Sequence, residues 1–380
     1  MNQSKRALLI TYSSPNKLAR VSRNLDSLIL QGYTVDVLCT DSFDRIGVNK
    51  VYKFDTPDMG IKGRILRKVA LLARIVVPSD RLRHLLTDFV LDHIKITKEL
   101  AKSYHVLFIE HIDFLRLCAD NMQSGTMLIF DIKDYYPREF EAYRLFRILE
   151  APYRRLIFQK YLIKATSLIS VSKGLSQLLK SEYGMDSTII MSAPPKANMM
   201  IQEAEYPIKS VHHGTANADR GLIELVECKG FSSACILDLY LIGSAQQLDT
   251  IKRKAEWSYD IKFRSPVMLE QIIPTLNRYD VGIIFFPEAK TINLTYCLPN
   301  KFFEYIQANL MIITTPLPDI AELVTKYNLG IVLPSFSPTD LAICLQNLTP
   351  DKVTEYKKSV AAAAKVLCFE NELGKLKMLV

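Results

Sequence analysis

The 380-residue chain predicts an α/β fold of two Rossmann-like domains, and three observations carry that expectation. Its length exceeds what one hydrophobic core usually serves. Short apolar runs alternate with stretches of helical periodicity almost throughout, the pattern of parallel sheets covered by helices. The alternation breaks once, at MSAPPKANMM, where Pro194 and Pro195 interrupt any period, and then it restarts. Domains are therefore expected over residues 1–195 and 205–355, with a helix over about 356–380 packing back on the first.

In the first half the apolar runs 7–12, 35–39, 106–110, 127–131, 167–171 and 188–191 predict strands. Helical patterns fill the intervals at 17–30, 82–103, 138–162 and 173–183, the last with Ser172 placed to cap it. In the second half strands are expected at 210–213, 237–243, 260–263, 281–285, 311–314 and 330–332. Their helices are expected at 220–227, 245–256, 268–276, 301–307, 319–326 and 338–348. In sheets of this kind ligands bind beyond the carboxyl ends of the strands, which directs attention to the residues just after each one.

Charge is divided unevenly. Residues 1–200 hold 30 basic against 20 acidic side chains, a net of +10, whereas residues 201–380 hold 18 against 20. The excess peaks over 61–83, with Lys62, Arg64, Arg67, Lys68, Arg74, Arg81 and Arg83 against Asp80 alone. Ile61, Ile65, Val69, Leu72 and Val76 recur there at helical spacing. A basic amphipathic helix suits an anionic membrane surface; a helix packed on its own domain with a solvated basic rim has the same pattern. Nucleic acid is disfavoured, since no aromatic-interleaved basic stripe or nucleic-acid motif is present.

The composition excludes other classes. Seven scattered cysteines without a C-x-x-C pair argue against a disulfide framework or a thiolate metal site. Six histidines show no H-E-x-x-H spacing, so no metal is expected. No apolar run approaches the length of a membrane span, and the first residues do not read as a secretory leader. No G-x-S-x-G, Walker or G-x-G-x-x-G motif occurs.

Two stretches of the second half carry candidate binding chemistry. HHGTANADRGLIELVE places Gly214 at a turn and Arg220 at a helix start, where free N–H groups and a cation favour phosphate; an exposed turn arginine has the same local sequence. In LPNKFFEY, Pro299 suits a helix start, and Asn300 and Lys301 lie in its first turn. Glu304 shares a face with Lys301, and a carboxylate there suits vicinal ribose hydroxyls. In the first half His111 ends a strand, while Lys133 and Arg138 offer a second cationic wall.

With these residues in view, the chain resembles the retaining, sugar-nucleotide-dependent GT-B glycosyltransferases of bacterial polysaccharide and glycolipid assembly, such as capsule or lipopolysaccharide. The likeness lies in SLISVSKGLSQLLKSEYG (167–184), VHHGTANADRGLIELVE (211–227) and, most specifically, the block from YDVGIIFF through LPNKFFEY to NLG (279–330). It implies a GT-B fold, with two Rossmann-like domains facing each other across a cleft. It also implies that Arg220 and Lys301 contact a donor diphosphate, that Glu304 binds the nucleotide ribose, and that Gly214 and Gly243 line the donor pocket. The backbone near Met268 meets the base. The first acid of the family's E-x7-E element falls on Tyr296, so the backbone of Leu298, Pro299, Asn300 and Lys301 takes the donor sugar.

Ser14 and Asn16 replace the family's N-terminal glycine-rich loop on the acceptor side. His111 aligns with a histidine near the reacting carbon, and Lys133 falls within the D-x-H-E position, giving both a catalytic role. The function implied is transfer of a sugar, with retention, from a nucleoside-diphosphate sugar to a lipid-linked or glycan acceptor. It would proceed without metal or other cofactor, at the cytoplasmic face of the membrane. A GT-B sugar-nucleotide epimerase and a catalytically silent scaffold of an assembly complex are the alternatives.

Overall fold

Runs of Val, Ile and Leu that are apolar on both faces of a strand need cover on both sides, and here they form the centres of two parallel sheets. The computed structural model describes residues 5–54, 61–77, 79–88, 94–217 and 220–379. The chain divides into two units. The first comprises Met1–Met191, Thr291–Asn293 and Leu373–Val380, and the second Ser192–Lys290 and Leu294–Glu372.

The first unit holds β1 (Arg6–Ile10), β2 (Thr34–Cys39), β3 (Val48–Lys53), β4 (Val106–Ile109), β5 (Met127–Ile132), β6 (Ser167–Ser170) and β7 (Thr188–Ile189). They lie in the order β3-β2-β1-β4-β5-β6-β7, every pair parallel. The second unit holds β8 (Ile208–Thr215), β9 (Cys235–Ile242), β10 (Ile261–Arg264), β11 (Val281–Ile284), β12 (Met311–Thr314) and β13 (Gly330–Val332). Their order is β10-β9-β8-β11-β12-β13, again all parallel. Strand order reverses between β1 and β4 in one sheet and between β8 and β11 in the other. Those are the switch points where doubly wound sheets open a crevice.

Each sheet carries its own core. Leu8, Ile10, Leu107, Ile109, Phe130 and Phe158 are buried in the first, and Leu237, Leu239, Val281, Ile283 and Ile313 in the second. The helix Pro350–Ala364 is tied to the second sheet by Lys357. This buried amine donates to the Tyr279 carbonyl at 3.1 Å and to Asp280 Oδ1 at 3.0 Å.

The α/β expectation holds, with local differences. The helix Lys173–Tyr183 has its expected bounds, with Ser172 accepting from the Leu175 N–H and Gly184 ending it at φ 68°. Strand β3 was not foreseen: VNKVYK lies at a sheet edge, has no buried residue and is too polar to stand out. The stretch expected as one helix over 138–162 is a 3-10 turn, Tyr136–Arg138, then two helices, Arg144–Leu149 and Ala151–Tyr161, the second with a proline in its first turn. The basic segment is two helices, Ile61–Val76 and Asp80–Asp88, and the sequence has Pro78 between them. Within the stretch expected as a helix over 82–103, residues 89–93 lie outside the described residues, and Ile94–Leu100 is helical. The tail expected as one helix is Pro350–Ala364 followed by Phe369–Lys377. All seven cysteines are unbridged.

Candidate functional site

At the switch point of the second unit, β8 runs through His212, His213 and Gly214, so adjacent side chains point to opposite faces. His212 is buried, 4% exposed, and its Nδ1 lies 2.9 Å from the carbonyl oxygen of Ile283 on β11. Burial, reinforced by the nearby Lys301 cation, pushes the His212 pKa well below the usual imidazole value, so the ring is neutral. Gly214 has φ 137°, and a Cβ there would come within 3.1 Å of the Lys301 amine. Glycine suits this position by its backbone conformation, and any side chain there would press on the Lys301 amine.

The facing wall is the helix Asn300–Gln307, which Pro299 precedes in extended conformation. Its apolar face, Phe302, Phe303 and Ile306, is buried. Tyr305 packs its ring onto Gly282 of β11 so closely that any Cβ there would lie 2.4 Å from it. These contacts fix the helix start, and with it Lys301. The Lys301 amine donates to His212 Nε2 at 3.0 Å. Burial, and then the positive charge of Arg220, pull its pKa down to about 7, with Glu304 opposing. Glu304 is itself buried, and its Oε2 lies 3.2 Å from His213 Nε2. A K-x-x-E sequence invites an ion pair between Lys301 and Glu304; instead Lys301 bonds one histidine of β8 and Glu304 lies beside the other.

The remaining expected donor residues are distributed around this cluster. Arg220 is exposed, its N–H bonded to the Asn217 carbonyl, and is close enough to Lys301 to shift its titration. The next residue, Gly221, has φ 79°, and a Cβ there would meet the Phe285 carbonyl at 2.6 Å. Gly243 follows β9 and is exposed, its Cα side against Ala216. Met268 is 73% exposed. Leu298 is buried, Pro299 half-buried and Asn300 exposed at the helix start. Among the described residues no group of three or more His, Cys, Asp or Glu side chains is arranged to hold a metal ion.

In the first unit the expected acceptor and catalytic residues follow the switch-point strands β1 and β4 and the adjacent β5. Ser14 is buried and its Oγ accepts from the Asn16 N–H at 3.2 Å, shaping the turn after β1, while Asn16 is exposed. His111 caps the helix Ile112–Asn121: its Nδ1 accepts from the Asp113 N–H at 3.3 Å, and its ring lies edge-on to Tyr12 and Tyr136. Asp113, bonded by Tyr12 at 2.7 Å, is held well below the usual carboxylate range by His111 against the cost of burial.

Lys133 donates to Glu110 Oε2 at 2.6 Å. Behind it lies a buried network that the sequence reading did not identify. Arg20 grips Asp131 with two bonds, at 2.7 and 2.6 Å, and donates to the Ile190 carbonyl at 2.8 Å. Asn24 bridges Glu110 and Asp131 at 2.8 and 2.9 Å. The i, i+4 spacing of Arg20 and Asn24, opposite acids at the ends of two neighbouring strands, was the available signal.

The basic helix requires one correction. Arg74, counted with the surface cations, is buried at 4% exposure. It donates to the Leu149 carbonyl and Glu150 at 2.6 and 3.0 Å and stacks over Tyr153. The apolar positions Ile65, Val69, Leu72 and Val76 are instead exposed, as are Leu82 and Leu85 on the next helix. The side chains of Ile61, Lys62, Arg64 and Arg67 lie outside the described residues. Among the described residues no helix is long and apolar enough to cross a membrane.

No family model matches the chain, and no curated protein matches it in sequence. Solved structures do. A sucrose-phosphate synthase from Thermosynechococcus elongatus superposes over 99% of this chain and 98% of its own, with TM-score 0.74 and 12% identity. A glycosyltransferase from Rickettsia africae covers 99% and 98%, with TM-score 0.66 and 11% identity. An α,α-trehalose-phosphate synthase (UDP-forming) from Burkholderia vietnamiensis covers 98% and 99%, with TM-score 0.65 and 10% identity. At such identities the likeness is one of fold: over its full length this chain has the two-domain α/β fold of GT-B proteins.

Proposed function

We propose that the chain is a glycosyltransferase that uses a nucleoside-diphosphate sugar. The observation that carries this reading is the buried Lys301 amine, held over the side-chain-free backbone of Gly214 with Arg220 nearby. Among the described residues no carboxylate is bonded to the buried amine, so the two cations present positive charge that suits an anion. The start of the Asn300–Gln307 helix adds N–H groups and a positive dipole end, and a diphosphate supplies the matching charge. Glu304, one turn on, takes the ribose hydroxyls. A UDP-forming synthase among the structural neighbours supports UDP as the first nucleotide to try.

The chemistry follows from that charge. The bond between the anomeric carbon and the β-phosphate oxygen breaks, and the new bond forms to an acceptor hydroxyl. Fixed donors aimed at the departing oxygen stabilise the transition state, each by about 2.7–4 kcal/mol where geometry is good. With retention, the departing phosphate takes the acceptor's proton, so no enzymic nucleophile, metal or other cofactor is needed. His111 and Lys133 orient and polarise the acceptor, with Ser14 and Asn16 shaping its loop.

The acceptor is lipid-linked or a glycan, and the chain works at the inner face of the membrane in surface polysaccharide synthesis. The exposed apolar stripe of Ile61–Val76, with Lys68 exposed beside it, supports peripheral contact with an anionic surface. A thermal-shift screen against UDP, GDP, CDP and their sugars tests the donor reading. A ligand present at 100 times its Kd stabilises the fold by about 2.7 kcal/mol. One nucleotide and its sugars should raise the melting temperature; no shift with any of them at millimolar concentration rejects the reading.

A further inference from the structure

The reading above names Lys301 but leaves open what keeps a flexible amine in place. We infer that His212 is the positioning residue for Lys301, holding its ammonium over Gly214 without cancelling its charge; the role assigned to that ammonium rests on the donor reading. A carbonyl oxygen only accepts, so the 2.9 Å contact with Ile283 puts the ring proton of His212 on Nδ1. The neutral ring then has its lone pair on Nε2, and that atom lies 3.0 Å from the Lys301 amine. The lysine is the donor. His212 is fixed by a main-chain bond from the neighbouring strand, so the lone pair has a defined direction.

The groups facing Lys301 make this arrangement purposeful. Arg220, from the loop after β8, repels it; Glu304, on its own helix, attracts it but has its Oε2 beside His213; Cys297 precedes the helix. Among the described residues no carboxylate forms an ion pair with Lys301. A carboxylate in place of His212 would hold the amine equally well but would neutralise it and compete with an anion. Imidazole accepts one N–H and leaves the cation's charge, and its other N–H bonds, for a ligand. A phosphate entering over Gly214 would find the amine already oriented, which is what a preorganised anion site requires.

The test uses the full chain and three variants, His212→Gln, His212→Ala and Lys301→Ala. The glutamine carboxamide can place an acceptor oxygen near the former Nε2. In ligand-free protein, competitive acetylation read by mass spectrometry reports the Lys301 amine, with the other lysines as an internal control for folding. His212→Ala should change Lys301 labelling by about threefold or more and weaken UDP or GDP binding about tenfold, as loss of a charge-assisted bond implies. His212→Gln should restore both. Labelling of Lys301 that is unchanged in His212→Ala overturns the inference, whatever happens to affinity. Labelling that responds as expected in a chain that binds no nucleotide confirms the His212–Lys301 coupling and rejects the donor reading instead.

Discussion

The two switch points of this molecule are built on the same plan and charged in opposite ways. At the first, Arg20 and Asn24 after β1 meet Glu110 after β4 and Asp131 on the adjacent β5, and these charges are paired: Arg20 with Asp131, Lys133 with Glu110, and Asn24 joining the two acids. At the end of β8 the buried Lys301 amine is answered by a neutral ring, and burial, then the nearby Arg220 cation, brings its pKa down to about 7. The first cluster is electrostatically complete and acts as a brace, while Lys133 at its half-exposed edge keeps the role proposed for it toward the acceptor. The second is short of negative charge. Identical topology therefore does not give identical roles; the local charge balance separates a structural network from a binding site.

The largest effect should come from breaking the brace. Arg20→Met leaves Asp131 buried without its cation, and chemical unfolding should show a loss of about 3–5 kcal/mol. The pH dependence has a definite sign. Asp131 is lowered by Arg20 below its unfolded value of about 3.9, so its stabilising contribution is present above that value and is lost as pH falls through the folded one. The wild-type chain should lose stability on acidification in a way that Arg20→Met does not. If unfolding of the variant matches wild type, the network is not a brace.

At the second switch point the order of effects should reverse. Lys301→Met removes a buried amine whose charge is already costly to keep there, so stability should change by no more than about 1 kcal/mol, in either direction. Nucleotide-diphosphate affinity should fall by about 1–3 kcal/mol in calorimetry. Wild-type affinity should also depend on pH. A nucleotide sugar has no diphosphate ionisation near neutrality, and its charge raises the Lys301 pKa on binding. Affinity is then greatest below about 7 and weakens as pH rises, by up to about tenfold per unit until the bound-state pKa is reached. A flat profile from pH 6 to 9 would remove Lys301 from the diphosphate.

Much of this was legible in the residues. The central strands of both sheets read as apolar runs because burial on two faces leaves little choice of side chain, whereas edge strand β3 did not. Gly214, Lys301 and Glu304 could be singled out because a turn glycine and a helix start have local signatures. His212 could not: its role depends on a carbonyl 71 positions away on β11, and such pairings across a sheet leave no local period. Arg20 and Asp131, 111 positions apart, were hidden for the same reason. Arg74 shows the opposite failure, since the basic pattern around it placed it in solvent while Glu150 and Tyr153 draw it inside.

That correction sharpens the smallest prediction, which concerns the basic helix. Arg74→Glu should unfold the helix packing and so says nothing about membranes. The informative positions are exposed: Ile65, Val69 and Leu72 are each more than half exposed, so making them polar costs the folded state little. Val69→Ser with Leu72→Ser should leave the melting temperature unchanged. Vesicle sedimentation on anionic lipid should nevertheless weaken, by roughly 1.5–3 kcal/mol for each large apolar side chain that enters the interface fully and by less for partial insertion. Adding Lys68→Glu should cost about 1 kcal/mol more at low salt and little at high salt, because that contribution is screened. Loss of sedimentation with the charge change but not with the two serines would mean that the helix lies on the headgroups without entering them.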